Sequence, residues 1–278
     1  MTALFDYDSI LYKAVYHSYD YTLLMQFYRK YKTRELVEFE LVEIMIDRLA
    51  NIGDGILLKM ESDDVIKDND ISIDFVEYYI TVGSNIRKEK YPSYKAKRQK
   101  SNIDKWVSKL RERLLEAEYS IHVPGYEADD VIAERAKELG ITNCIIVSLD
   151  KDLQQIAGLH YNYYSKPWTE SDGIDEFGNK NKPKMKGFKM VNEDEARYLF
   201  WIQMLTGDAT DNVEGINGIG KVKAEKILSD LYFNDANDEQ YKTIVLEEYR
   251  KYYESHNIDY NLEFEKSFYL LKLGYKDA

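Results

Sequence analysis

The sequence predicts an α/β fold, a mostly parallel central sheet followed by a helical region, and three features carry that reading. Short apolar segments with strand character alternate with longer ones whose apolar residues recur at helical spacing, the order that builds parallel sheets. Two strand-like segments run into an aspartate, Thr2–Phe5 into Asp6 and Cys144–Leu149 into Asp150. Glycine-punctuated helical sequence fills the chain beyond about residue 190. Ligand sites of open parallel sheets lie outside the carboxyl ends of the strands, so Asp6 and Asp150 are expected to meet.

Taken in order, Ser9 to about Lys30 has helix-like apolar spacing, as does Arg34–Asn51 with Leu36, Phe39, Ile44, Met45 and Leu49. Phe75–Val82 reads as a strand. A basic segment from Arg87 to Lys100 leads to a helix at Asn102–Glu118, then a short strand at Ser120–Val123 that Pro124-Gly125 punctuates. Glu127–Leu139 is helical and stops at Gly140. From Tyr161 to Lys189 glycine, lysine, proline and asparagine dominate, which predicts a protruding hairpin or loop. Asn192 and Glu195 have capping-box spacing and open a helix through Leu205. The expected division is a core over 1–190 and a helical region over 191–278.

The chain's 278 residues suffice to bury a sizeable core, and 44% hydrophobic with 32% charged residues is an ordinary globular composition. No apolar run approaches the ~20 residues needed to cross a bilayer, so no membrane partner is expected. The start of the chain lacks the basic and apolar regions of a secretory signal. Cys144, the single cysteine, excludes an internal disulfide framework and reads as a buried, inert thiol, which suits a cytoplasmic setting. The formal charge of −12 speaks against nucleic acid. Carboxylates that hold cations are counted in it as bare charge, however, and the positive charge is clustered. Arg87, Lys88, Lys90, Lys95, Lys97, Arg98 and Lys100 face one acid, Glu89, and a second set comprises Lys180, Lys182, Lys184, Lys186 and Lys189. Runs of this kind are usually solvated surface.

The sharpest chemical signal is Gly125-Tyr-Glu-Ala-Asp-Asp130, with three carboxylates in four positions, Glu127, Asp129 and Asp130. They repel one another unless a cation lies between them. Glu127 and Asp130 are one helical turn apart, whereas Asp129 points elsewhere unless the helix begins inside the motif. Carboxylates at a helix start are also favoured by the macrodipole alone. Asp150 and Asp152 follow the buried strand, and Asp208 and Asp211 bracket a turn in Thr206-Gly-Asp-Ala-Thr-Asp-Asn212. Aspartates are ordinary turn residues. That does not account for four acidic groups, counting Asp6, all placed at element ends. Hard cations such as Mg²⁺ and Mn²⁺ take oxygen ligands, and two of them support in-line displacement at phosphorus. The four histidines, His17, His122, His160 and His256, have no partner at ligand spacing. In Gly215-Ile-Asn-Gly-Ile-Gly-Lys221, the glycines Gly215, Gly218 and Gly220 permit a tight turn between helices, with backbone amides, Lys221 and Lys223 placed for phosphate.

Together these segments resemble the 5′-nuclease (flap endonuclease) family, and in length and the extra Asp8 they look most like its bacteriophage branch. The matching blocks run in order from Phe5-Asp6 through Tyr94-Lys-Ala-Lys-Arg98, Glu127-Ala-Asp-Asp130, Ser148-Leu-Asp-Lys-Asp152 and Gly207-Asp-Ala-Thr-Asp-Asn212 to Gly215–Lys221. The resemblance implies a PIN-like core, a helical arch or clamp over about 86–118, a protruding insertion over about 161–190 and a C-terminal helix-hairpin-helix. It implies a 5′→3′ exodeoxyribonuclease, with flap endonuclease and RNA–DNA hybrid cleavage in its range, that uses two Mg²⁺ or Mn²⁺ ions. Their ligands would be Asp6, Glu127, Asp129, Asp130, Asp150, Asp152, Asp208 and Asp211, with Asp130 among the catalytic residues. Lys95 and Arg98 would contact the scissile phosphate, Arg87 the DNA, and Tyr94 would stack on a terminal base. Gly215, Gly218, Gly220, Lys221 and Lys223 would hold the duplex backbone, with K⁺ bound at the turn. One departure stands out: relatives carry an aspartate where this chain has Val82-Gly83-Ser84. Asp8, two residues past Asp6, or a water is expected to fill that position. An inactive DNA-binding relative and a PIN-type ribonuclease remain the alternatives.

Overall fold

The computed structural model describes residues 1–18, 26–27, 29–31, 33–98, 101–163 and 187–274. Five strands, β1 (Thr2–Asp6), β2 (Phe75–Tyr79), β3 (Cys144–Val147), β4 (Gly158–Asn162) and β5 (Gly187–Val191), form one sheet in the order β2-β1-β3-β4-β5. The first four are parallel and β5 runs antiparallel to β4. Every residue of β1 and β3 is buried, which accounts for their continuous apolar sequence. Strand order reverses between β1, whose successor β2 lies on one side, and β3, which lies on the other. A crevice opens at such a point beyond the carboxyl ends of the strands, and Asp6 and Asp150 stand there.

Helices α1 (Asp8–Ser18), α2 (Arg34–Glu61) and α5 (Asn102–Glu116) cover one face; Leu11, Met45 and Leu110 pack there against Phe5 and Ile145 of the sheet. Helix α6 (Ala128–Leu139) covers the other through Val131 and Ile132, against Leu4 and Ile146. Between α2 and β2 lies the short α3 (Asp64–Asp68), and α4 (Ile86–Lys90) follows β2. A second apolar centre gathers α7 (Glu193–Thr206), α8 (Lys221–Phe233), α9 (Asp238–Glu254) and α10 (Tyr260–Leu271) around Trp201, Tyr241 and Phe264, and it takes in Tyr94 from the basic segment. Among the described residues no helix is long and apolar enough to cross a membrane.

Several boundaries differ from the sequence reading for identifiable reasons. Strand β2 stops at Tyr79, because the Thr81 amide turns to the Asp8 carboxylate at 3.2 Å instead of a neighbouring strand. Ser120–Val123 makes a single parallel bridge, Ile121 to Tyr79, in place of a strand. Helix α1 is described over Asp8–Ser18, and residues 19–25 and 28 of the helix expected to run to about Lys30 lie outside the described residues. So do residues 164–186 of the expected insertion, with Lys180, Lys182, Lys184 and Lys186, although the strands flanking it pair antiparallel. Of the segment expected to arch, α5 packs into the core through Trp106 and Leu110.

The helix–turn–helix expected near Gly215 is present. Helix α7 closes at Gly207, Gly207–Asp208 (β6) pairs antiparallel with Val213–Glu214 (β7), and Gly220 is the N-cap of α8. At Gly215 the chains pass so closely that a Cβ would lie 2.2 Å from the Thr206 carbonyl carbon and 2.5 Å from the Gly207 amide nitrogen. Both contacts are backbone and cannot swing aside. Gly215→Ala is therefore expected to destabilise the protein by at least the ~1–3 kcal/mol usual for overpacking, read from the urea midpoint. An unchanged midpoint would show that the hairpin relaxes freely.

Candidate functional site

Helix α6 begins inside the acidic motif. Glu127 is its N-cap in extended conformation and Ala128 its first helical residue. That start settles what the spacing left open about Asp129: oxygens of Glu127, Asp129 and Asp130 all come within 4.8 Å of one another. Glu127 accepts hydrogen bonds from Asn85 Nδ2 (3.0 Å), Arg87 Nη1 (2.9 Å), the Tyr94 hydroxyl (2.8 Å) and the Lys95 ammonium. Burial pushes the Glu127 carboxyl up, but Lys95 and Arg87 outweigh it and leave the group below the ordinary carboxylate range. Asp129 goes the other way, held well above that range by burial and by the charges of Glu127 and Asp130.

The second half of the site hangs from the ends of β1 and β3. Ser148 ties them together: its Oγ donates to Asp6 Oδ2 (2.7 Å) and accepts from the Asp150 amide (2.9 Å). Asp150 Oδ1 accepts from the Asp152 amide (2.9 Å), at the start of the 3-10 turn Asp152–Gln155. Burial, aided by Asp8, pushes Asp6 up to about 7. Burial, aided by Asp150, does the same to Asp152. Asp208 Oδ1 accepts from the amides of Thr210 (2.7 Å) and Asp211 (3.2 Å), and Gln203 Nε2 donates to its Oδ2 (3.3 Å). Asp129, Asp152, Asp208 and Asp211 line one crevice together with Arg87 and Tyr94. Three of the four acidic groups that the sequence separates thus meet in one crevice, and the fourth, Asp6, is tied through Ser148 to Asp150 of the same strand end.

The basic segment lies against this crevice, and two of its residues do not stand where a DNA contact requires. Arg87 is 2% exposed; its guanidinium grips both Asp130 oxygens at 2.6 Å as well as Glu127. Tyr94 is also 2% exposed, its ring in the second apolar centre and its hydroxyl on Glu127 and Asp211 (3.0 Å), so no face is offered to a base. Burial of ionic and aromatic groups against the acids overrides the solvated reading of a charge run. Lys95 reaches Glu127 and, at 3.5 Å, Asp211, and Arg98 reaches Asp211 at 2.5 Å. Lys95 and the half-exposed Arg98 stand at the crevice rim. At the hairpin, Gly218 lies in the turn, Lys221 is exposed, and Lys223 Nζ donates to the Gly218 carbonyl (3.4 Å).

Asp130 belongs to the acidic group, yet Arg87 takes both its oxygens and the Gly274 amide donates to Oδ1 (3.0 Å). That bracing accompanies its place beside Glu127 and Asp129, whose oxygens lie with its own within 4.8 Å of one another. Asp8 departs from expectation. It opens α1 instead of extending β1, and its carboxylate is held by Arg111 (2.7 Å) and the Thr81 amide. The sequence reading missed Asn85 and Gln203. Asn85 caps α4 by accepting from the Lys88 amide, and Gln203 is a polar residue within the apolar run Trp201-Ile-Gln-Met-Leu205, a pattern that marks a buried partner. The donor set is oxygen only, and burial, aided by neighbouring carboxylates, raises Asp6, Asp129 and Asp152, a penalty that a cation among them relieves. These residues fit hard divalent cations.

Residues 74–182 match the family described as 5'-3' exonuclease, N-terminal resolvase-like domain. The chain is 36% identical over 148 residues to a DNA polymerase I of Borreliella burgdorferi, an alignment covering 51% of this chain and 15% of the polymerase. It is 32% identical over 108 residues to the flap endonuclease Xni of Colwellia psychrerythraea, covering 37% and 32%. This chain therefore spans well under two thirds of these relatives. Its fold matches that of the bacteriophage T5 flap endonuclease, solved as a pseudo-enzyme–product complex with DNA and metal ions, with a TM-score of 0.52 at 15% identity over 97% of this chain and 88% of that one.

The two neighbouring aspartates should behave oppositely in chelator. The raised value of Asp129 means that its charge opposes folding near pH 7, so Asp129→Asn should raise the melting temperature. Asp130→Asn breaks a buried ion pair and should cost about 3–5 kcal/mol. Calorimetry showing both variants shifted the same way would contradict this division.

Proposed function

We propose that this chain, which belongs to the 5′-nuclease family, hydrolyses phosphodiester bonds in DNA as a divalent-metal-dependent 5′→3′ exonuclease. The observation that carries this is the convergence of Asp129, Asp152, Asp208 and Asp211 on one crevice, with Lys95 and Arg98 paired to Asp211 and with Asp6 and Asp150 joined through Ser148 to the strand ends beside Asp152. These acids with Glu127 would hold two Mg²⁺ or Mn²⁺ ions, which when bound would supply charge neutralisation at the phosphate and activation of the attacking water.

The chain's own groups do the rest. Asn85, Arg87 and Ser148 fix the carboxylates before substrate arrives, so little reorganisation accompanies the reaction. The ammonium of Lys95 and the guanidinium of Arg98 stabilise the negative charge that grows on the phosphate oxygens. The hairpin at Gly215, Gly218 and Gly220 offers the open start of α8, with Lys221 and Lys223, to one strand of a duplex, and its carbonyls to K⁺. A duplex with a 5′ end or flap suits this spacing of anchor and crevice. An RNA–DNA hybrid offers the same backbone charge. A setting in phage-type DNA replication or degradation suits that chemistry, as does the cytoplasm of a host cell.

A second reading, a DNA-binding relative with weak turnover, is favoured by one observation. No acid stands at Val82-Gly83-Ser84, and Asp8 is engaged by Arg111. Digestion of 5′-labelled duplex, flap and RNA–DNA hybrid separates the two. The nuclease reading expects short 5′ products with Mg²⁺ or Mn²⁺ and none with excess EDTA; binding without products in any metal would establish the second reading.

Within the nuclease reading, Lys95→Ala should lower kcat far more than it raises KM, because its cation acts on charge that develops in the transition state. Lys221→Ala should weaken duplex affinity and reduce the salt slope by about one unit for one lost phosphate contact. Equal losses of affinity in both variants at unchanged rate would refute this division of labour.

A further inference from the structure

The polypeptide at the end of α10 and just past it touches one half of the acidic site through its backbone and reaches the other through two glutamines. The Gly274 amide donates to Asp130 Oδ1 at 3.0 Å, and the Lys272 carbonyl accepts from Arg87 Nη2 at 3.1 Å. On the opposite bank the Leu271 carbonyl accepts from Gln155 Nε2 at 3.1 Å. The same Gln155 Nε2 donates to Gln203 Oε1 at 2.8 Å, and Gln203 Nε2 donates to Asp208 Oδ2 at 3.3 Å. Leu271 and Leu273 meanwhile line the crevice itself. Four consecutive residues thus join the Arg87–Asp130–Glu127 network at the start of α6 to the Asp208 hairpin.

The local backbone is built for this passage. Gly274 has φ +107°, a region that side chains disfavour, and a Cβ there would lie 2.4 Å from Glu134 Oε1. Gln155 lies on the 3-10 turn that begins with Asp152, so it ties the strap to a third acidic element. None of these strap atoms is itself a carboxylate of the site.

We infer that residues 271–274 are a positioning strap: they hold the two banks of carboxylates at the separation that divalent cations require, acting through Arg87–Asp130 on one side and Gln155–Gln203 on the other. The strap couples packing of the last described helix to metal affinity and rate, and Gln155 and Gly274 are positioning residues. This inference rests on the metal-dependent reading above. It assigns a role to a segment that carries no acid and no motif.

Gln155→Met keeps the side-chain length and removes both donations; Gly274→Ala displaces the strap from its other end. Mn²⁺ affinity is read directly from the free-ion paramagnetic resonance signal, alongside thermal melts and kcat and KM on 5′-labelled duplex, all at a temperature where circular dichroism shows each variant folded. Each variant should weaken Mn²⁺ binding and lower kcat by about 10-fold or more, the range seen when outer partners of metal ligands are removed, with KM for DNA nearly unchanged. Lower melting temperatures with unchanged Mn²⁺ affinity and kcat would overturn the strap and leave only a structural contact. Should Gly274→Ala fail to fold, Gln155→Met alone decides the matter. Wild-type protein that binds Mn²⁺ but cuts nothing would remove the nuclease reading, while the Mn²⁺ affinities still decide the strap. Wild-type protein that binds no Mn²⁺ would overturn both.

Discussion

Bringing like-charged carboxylates together out of water is the constraint on which the rest of this structure depends. Glu127, Asp129 and Asp130 sit within 4.8 Å of one another at the start of a packed helix, and Asp6 and Asp152 are raised to about 7 nearby. Left alone, such a cluster opposes folding. The chain answers with a division of roles. Arg87, buried with it, neutralises Asp130 and part of Glu127, while Asp129 and the acids beyond it keep their mutual repulsion. A partly neutralised cluster tolerates folding and retains the field that draws divalent cations in.

That division orders the surrounding architecture. The reversal of strand order between β1 and β3 places Asp6 and Asp150 beside each other, with Ser148 as the shared hydrogen-bonding link. The tight pass at Gly207 and Gly215 turns α7 back on itself and delivers Asp208 and Asp211 to the same crevice. Tyr94 bridges Glu127 and Asp211 while its ring packs among the C-terminal helices, so one residue joins the second apolar centre to the site. Fold and chemistry therefore share residues here, and a packing change in the helical region is felt by the acids.

Much of this was legible in the sequence where a residue's role follows from its neighbours along the chain. Continuous apolar runs marked β1 and β3, and the aspartates ending them marked the sheet's ligand edge. The glycine spacing after Asp211 announced the hairpin. What was not legible depended on direction and distance. Arg87 and Tyr94 look like surface in a basic run, and only tertiary packing turns them inward. Whether Asp129 joined its neighbours hinged on one residue at the helix start, finer than periodicity resolves. Asp8 stood as a ready replacement for a missing acid until Arg111, about a hundred residues away, proved to be its partner. Gln155, Gln203 and the backbone of Gly274 carry no signal beyond a polar residue in apolar company.

The central claim is that Asp129, Asp152 and Asp208 form the cation-binding wall while Asp130 stays with Arg87. Crystals soaked in Mn²⁺ and measured at the manganese absorption edge test it directly. Anomalous peaks should lie in the crevice within coordination distance of Asp129 and of Asp152 or Asp208, with the Arg87–Asp130 pair intact. No peak in the crevice, or a peak ligated by Asp130 with Arg87 displaced, would contradict the account.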